Sequence, residues 1–130
     1  METSKKYPKI NYRKLSFKES RYHRGKKCWY ASTLLRAAQD EELEPFEYPV
    51  ACYDLSNRYF ALDNMDDFIY QMKRTLETDY ENHPIILDDL GQVADGNHRL
   101  CHAILDGKTH IMAYRLTNMP EPDFTEEGKD

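Results

Sequence analysis

Residues 84–116 read PIILDDLGQVADGNHRLCHAILDGKTHIMAYRL, and their periodicity changes twice. Pro84 to Asp88 is a short apolar run between a proline and paired carboxylates, the pattern of a strand over 84–88. Asp89 to Gly91 carries turn chemistry, so a hairpin to a short strand over 92–94 follows. Leu100, Ala103, Ile104 and Leu105 then recur at helical spacing. They predict a helix that starts within 96–98, carries these four inward, and stops at Asp106-Gly107, where glycine accepts the left-handed cap. Residues 110–116, HIMAYRL, return as a strand. Strand, hairpin, helix and strand in one stretch point to an α/β fold in the broad sense (α+β), a small mixed sheet with flanking helices.

Working outward, Asn64 and Asp67 resemble an acidic N-terminal cap, and Phe68, Ile69, Met72 and Leu76 predict a helix over 65–78 with these residues as its apolar face. Residues 47–54 are aromatic and β-compatible and read as a strand, with Pro49 favouring a sheet edge. Before it, Leu34, Leu35, Ala37 and Ala38 suggest a short helix to about residue 40, capped by Ser32 or Thr33 and stopped by Pro45. Residues 1–27 are polar and basic and read as an arm that Tyr7, Ile10, Tyr12, Leu15 and Phe17 could tack to the body. Residues 28–118 form the domain, and the acidic tail, 119–130, is expected to fray.

The 130 residues suffice for one core, and 40% hydrophobic residues exclude collagen-like and wholly disordered classes. The net charge of −5 conceals a division. Residues 1–36 hold 11 basic residues against Glu2 and Glu19, a local +9, while residues 37–130 carry −14. A basic segment of this kind suits a nucleic acid or an acidic protein, and suits equally its own acidic body. No apolar run is long enough for a membrane span or a secretory signal, so the expected compartment is the cytoplasm, with no membrane partner. Cys28, Cys52 and Cys101 are widely spaced without a C-x-x-C pair, which supports neither a disulfide framework nor a cysteine zinc site by spacing.

The chemistry concentrates at Asp95-Gly96-Asn97-His98-Arg99, where a strand exits into the first turn of a helix. Unbonded backbone N–H groups and the positive end of the helix dipole make such a corner an anion site. Gly96 allows close backbone approach, Arg99 can fork onto phosphate oxygens, and His98 can donate a hydrogen bond or move a proton.

This corner in its ordered context, with PIILD before it and a helix closed by Gly107 after it, resembles the ParB/sulfiredoxin superfamily, whose small domains carry a G-x-[HR]-R loop at a helix N-terminus. The resemblance spans about residues 43–118. ASTLLRAA, YDLS and MPEPD resemble small stand-alone bacterial and phage members. It implies a nucleoside phosphate (ATP, ADP or CTP) on Gly96, Asn97, His98 and Arg99. In the sulfiredoxin branch a catalytic cysteine stands where this chain has Asn97, so sulfinic acid repair is not implied. The chromosome-partitioning branch binds CTP but adds a helix-turn-helix and a dimerisation domain. The free-serine kinase branch spells the loop D-G-H-H-R and departs only at Asn97.

If phosphoryl transfer occurs, it needs charge neutralisation and a carboxylate at the acceptor. Asp95 is then the candidate for Mg²⁺ or water positioning, with His98 as its catalytic companion. Asp54, Asp66 and Asp67, at predicted element ends, are candidates for the second carboxylate. A phosphotransferase and a nuclease are thus both open, and so is a non-catalytic adaptor that uses the basic arm.

Simpler roles stand beside these. Asp95 is a natural helix cap, Gly96 a natural turn residue, and Cys101 a small core residue. His102, four residues after His98, shares its helix face without an H-E-x-x-H pattern and is expected in solvent. Trp29 and Tyr30 are expected to anchor the arm.

Overall fold

The computed structural model describes residues 7–12 and 20–126, and those residues form an α+β fold of two open sheets and three helices. The elements in order are β1 (Arg21–Arg24), β2 (Lys27–Tyr30), α1 (Ala31–Asp40), β3 (Phe46–Pro49), α2 (Met65–Leu76), β4 (Ile85–Leu87), β5 (Val93–Asp95), α3 (Asn97–Leu105), β6 (His110–Arg115) and β7 (Phe124–Thr125).

The larger sheet has the order β3-β6-β4-β5, with β4 and β6 parallel and the other pairs antiparallel. Its inner strand β4 is buried on both faces. Ile85 and Leu87 point to one side and pack with Leu100 and Ala103 of α3, Ile111, Ala113, Tyr48 and Tyr53. Ile86 points to the other and packs with Leu34 and Ala38 of α1, Trp29, Ala94 and Leu116. A strand covered on both faces needs apolar residues at successive positions, which explains the unbroken run Ile85-Ile86-Leu87.

The hairpin turn is organised by Asp88. Its Oδ1 accepts the backbone N–H groups of Leu90 and Gln92, each at 2.9 Å, and its own N–H donates to the Gln92 carbonyl at 2.8 Å. α3 ends as expected: Gly107 has φ +79°, its N–H donates to Ile104 and that of Lys108 to Ala103, each at 3.0 Å. Pro49 closes the edge strand β3, which ends three residues into the expected 47–54 strand because the chain turns into a 3₁₀ turn at Val50–Cys52.

Three expectations need correction. α1 begins at Ala31 with neither Ser32 nor Thr33 as its cap. The carboxylate of Asp123, far along the chain, accepts instead from the Tyr30 N–H at 2.8 Å and the Thr33 hydroxyl at 2.9 Å. That tail does not fray as far as residue 126, since Phe124–Thr125 pairs with β2 to complete a second sheet, β1-β2-β7. This hairpin straddles the 27/28 boundary drawn from composition. Most of the remaining arm, residues 1–6 and 13–19, and the tail residues 127–130 lie outside the described residues.

The third correction concerns helix faces. α2 buries Asp67, Gln71 and Thr75, while Phe68, Met72 and Leu76 are exposed. Leu105 of α3 is exposed as well, and Ile104 is partly buried. Phe68 and Met72 of α2 therefore line a surface groove with Leu55, Leu62 and Leu105.

Candidate functional site

The β5–α3 corner opens onto a cleft of about 320 Å³. Asp95, Gly96, Asn97, His98 and Arg99 all line it, so the structure keeps the sequence motif together on one wall. Facing them are Tyr70, Gln71 and Arg74 of α2, Tyr59 and Phe60 of the preceding loop, and Arg21 of β1.

Gly96 is the N-terminal cap residue of α3, with φ +115°, a left-handed conformation that L side chains rarely adopt. A Cβ there would lie 2.5 Å from Ile85 Cγ2 and 2.8 Å from Ile85 Cβ. The glycine thus lets the corner close on the core strand. No side chain caps the helix, and its first turn holds no acidic residue. The N–H groups of Asn97, His98 and Arg99 precede the first helical bond, Leu100 N–H to the Gly96 carbonyl at 2.9 Å, and are donors at the cleft wall.

Arg99 is held in place by its own structure. Nη2 donates to Asp95 Oδ2 at 2.8 Å, and Nη1 donates to the carbonyls of His83 and Pro84 at 3.0 and 3.1 Å. This i, i+4 fork ties the helix to the chain entering β4. It neutralises Asp95 and leaves Arg99 a brace first.

His98 is stacked on Phe60, with ring centroids 4.3 Å apart and planes inclined by 6°, and its Nε2 lies 2.7 Å from Gln71 Oε1. For that amide oxygen to accept, the ring proton sits on Nε2 and Nδ1 keeps its lone pair. Burial, and secondarily the nearby Arg74 charge, lower its pKa to about 4. His98 is therefore neutral near pH 7, a weak base that contributes no charge to an anion. Asn97 Oδ1 accepts the Tyr53 hydroxyl at 2.7 Å, which fixes the start of the helix against the loop before α2.

The remaining carboxylate candidates do not converge on this corner. Asp54 folds its carboxylate into a local turn, accepting from Ser56 and Asn57, and the hydroxyl and N–H of Ser56 hold it below the usual carboxylate pKa. Asp67 forms a reciprocal cap at the start of α2: its N–H donates to Asn64 Oδ1 at 2.8 Å and its Oδ2 accepts the Asp63 N–H at 3.1 Å. Asp66 lies in the first turn of α2, and neither it nor Asp54 nor Asp67 lines the cleft. His102 is not in solvent but held between Thr78 and Asp106, with its ring against the edge of Tyr80.

The donor set does not suit a protein-held Mg²⁺. Hard divalent cations need free carboxylate oxygens, but among the described residues Asp95 alone supplies a carboxylate to the cleft, and the Arg99 guanidinium already occupies one side of it. A second cation at that carboxylate would meet the first.

No family model matches the chain, and no curated protein or solved structure matches it.

Charge around the cleft is one-sided. Arg21, Arg74 and Arg99 line it against one paired carboxylate. Among the described residues Arg74 Nη2 donates only a long bond, 3.4 Å, to the Ser20 hydroxyl. Arg21 lies over the rings of Tyr30 and Phe124, 5.9 and 5.5 Å from their centroids, contacts that leave its N–H edges available. The motif did not reveal Arg21, Gln71, Arg74, Tyr59, Phe60 or Tyr70. A sequence cue existed for two of them, since Asp67, Gln71, Arg74, Thr75 and Thr78 form a polar stripe at helical spacing beside the apolar one. Within the described arm β1 is docked: Arg24 Nη1 donates to Asp89 at 2.8 Å and to Asp88 at 3.3 Å, and the Tyr22 hydroxyl to Asp88 at 2.6 Å, whereas Tyr7 and Ile10, expected to tack the arm to the body, are 65% and 83% exposed, and Leu15 and Phe17 lie outside the described residues.

Proposed function

We propose that the chain is a nucleoside-phosphate-binding domain related to the ParB/sulfiredoxin superfamily, with the phosphate seated between the first turn of α3 and Arg74. The observation that carries the reading is the cleft lined by three arginines and the uncapped start of α3, with, among the described residues, a single carboxylate already paired to one of those arginines. The aromatic side chains of Tyr59 and Tyr70 supply apolar surface for a base, and the volume lies at the small end of ligand pockets.

The proposal is for binding rather than for phosphoryl transfer or strand cleavage, because Asp95 is braced and His98 is a weak base. We read the protein as cytoplasmic, a reading supported by the lack of any disulfide among its three cysteines. No helix of the described residues is long and apolar enough to cross a membrane.

Calorimetry with ATP, ADP, CTP and GTP tests the proposal, each with and without Mg²⁺. The wild type is expected to bind at least one of them. Arg74→Ala should weaken that binding by about tenfold, the worth of one charge-assisted contact, without lowering the unfolding temperature. A folded wild type that binds none of the four overturns the reading. The adaptor alternative would instead show partner binding lost on removing residues 1–19, which leaves β1 and Arg21 in place, and falling steeply with salt.

A further inference from the structure

The second sheet brings together three side chains that have no part in the cleft. His23 of β1 stands opposite Cys28 of β2 across the hairpin, and Glu126 follows directly on β7. Cys28 Sγ lies 3.0 Å from His23 Nδ1, and Glu126 Oε1 lies 3.7 Å from that same nitrogen. The three donor atoms all fall within 4.8 Å of one another. β1 and β2 each contribute one donor, and the residue after β7 contributes the third. The backbone fixes the third, because the Glu126 N–H donates to the Lys26 carbonyl at 2.8 Å.

Two uses of a Cys–His–Glu group can be separated by geometry. A nucleophile with its base requires the cysteine on one imidazole nitrogen and the carboxylate on the other. Here both approach Nδ1, and Cys28 is fully buried, out of reach of a substrate. Convergence of sulfur, nitrogen and oxygen on one point is instead the arrangement of a chelate. With metal bonds of about 2.0–2.3 Å in a tetrahedron, neighbouring donors stand about 3.3–3.6 Å apart, a value that the observed separations bracket.

We propose that His23, Cys28 and Glu126 bind a zinc-class divalent cation that staples the three-stranded sheet. On binding, the Cys28 thiol gives its proton to solvent. The resulting thiolate, the neutral imidazole through Nδ1 and the Glu126 carboxylate each donate a lone pair, and the two negative charges offset the ion's two positive ones. Three protein donors leave one position, which water takes on the side where His23 and Glu126 are 40% and 28% exposed. The expectation from cysteine spacing did not include such a site, because sheet pairing assembles the donors from opposite ends of the chain. The borderline-soft mixture of sulfur, nitrogen and oxygen favours zinc over magnesium or calcium.

The test is a titration of Co²⁺, as an optical probe, into the metal-free full-length chain, followed by displacement with Zn²⁺. The expected result is one ion per chain, a thiolate-to-cobalt charge-transfer band, about one proton released per ion, and a raised unfolding temperature. Cys28→Ser should abolish the band. Because that buried position is sensitive, His23→Ala and Glu126→Gln, at partly exposed side chains, provide the decisive arms, each weakening binding by more than about tenfold. Cys52→Ser, at an exposed cysteine elsewhere, should change nothing. The proposal is overturned if the folded wild type takes up no stoichiometric Co²⁺, if the band persists unchanged in His23→Ala, or if it disappears with Cys52→Ser.

Discussion

The four-stranded sheet and the three-stranded sheet of this chain are stabilised by different means. The first is closed by apolar side chains, with Ile85, Ile86 and Leu87 packed between α1 and α3. The second buries Cys28 and Trp29 but is fastened by polar bonds to remote residues. Trp29 Nε1–H donates to the Pro120 carbonyl at 2.8 Å, Tyr22 and Arg24 reach Asp88 and Asp89, and Asp123 receives the start of α1. The comparison shows that a single small domain can combine a body specified by local periodicity with an end specified by hydrogen-bond partners, and the two should respond to different substitutions.

Gly96→Ala should have the largest effect and strike the body. It adds a Cβ against Ile85 and imposes a positive φ on a residue with a side chain, together about 4 kcal/mol by denaturant midpoint. A loss below about 1 kcal/mol, within the ordinary range for a surface change, would mean that the corner relaxes freely. Asp88→Asn should strike the end instead. Its remaining oxygen can keep the turn, while its amide nitrogen faces the Tyr22 hydroxyl and Arg24, at a cost of about 3 kcal/mol. Emission from Trp29 should shift to the red with helical dichroism largely retained. An unshifted spectrum would show that the small sheet does not depend on Asp88.

A middle-sized effect should appear with pH. His98 has a folded pKa of about 4 against an ordinary 6.5, so the folded state binds fewer protons. Its contribution is complete above about pH 6.5 and is lost as pH falls through about 4, a total of about 2 kcal/mol after allowance for partial exposure. Imidazole resonances followed by NMR check the sign. In Arg74→Ala the midpoint should rise but stay below 6.5, since burial is the larger cause. Smallest are the caps. Asn64→Ala removes a cap three residues from its donor and Asp123→Ala one supplied from the tail, each worth about 1 kcal/mol. Only the second should also loosen Trp29.

The same contrast explains what the sequence made legible. The β4-β5-α3-β6 order and the Gly107 cap could be read because each is encoded within a few residues. The small sheet could not, since it needs Cys28 opposite Phe124 and no local pattern announces that pairing. On α2 two stripes competed. Hydropathy favoured Phe68, Met72 and Leu76, but the polar stripe went inside because Gln71 meets His98 and Asp67 closes the cap. At the cleft, the wall from Asp95 to Arg99 was visible as a motif, whereas the opposite wall comes from Arg21, Phe60, Gln71 and Arg74, brought there by the fold. Aspartates chosen because they sit at element ends proved to be turn and cap residues, the ordinary employment of aspartate at such positions.

The pairing of Phe124 with Cys28 also has a consequence for the order of events in time. Contacts between residues so distant in sequence carry a large loop-closure cost and form late. A chain emerging from the ribosome would hold the β1–β2 hairpin without its third strand until nearly all of the described fold had been made. Trp29, the single tryptophan, sits under that last strand's approach with its indole N–H bonded to Pro120, so its fluorescence is a built-in clock for the final step of folding.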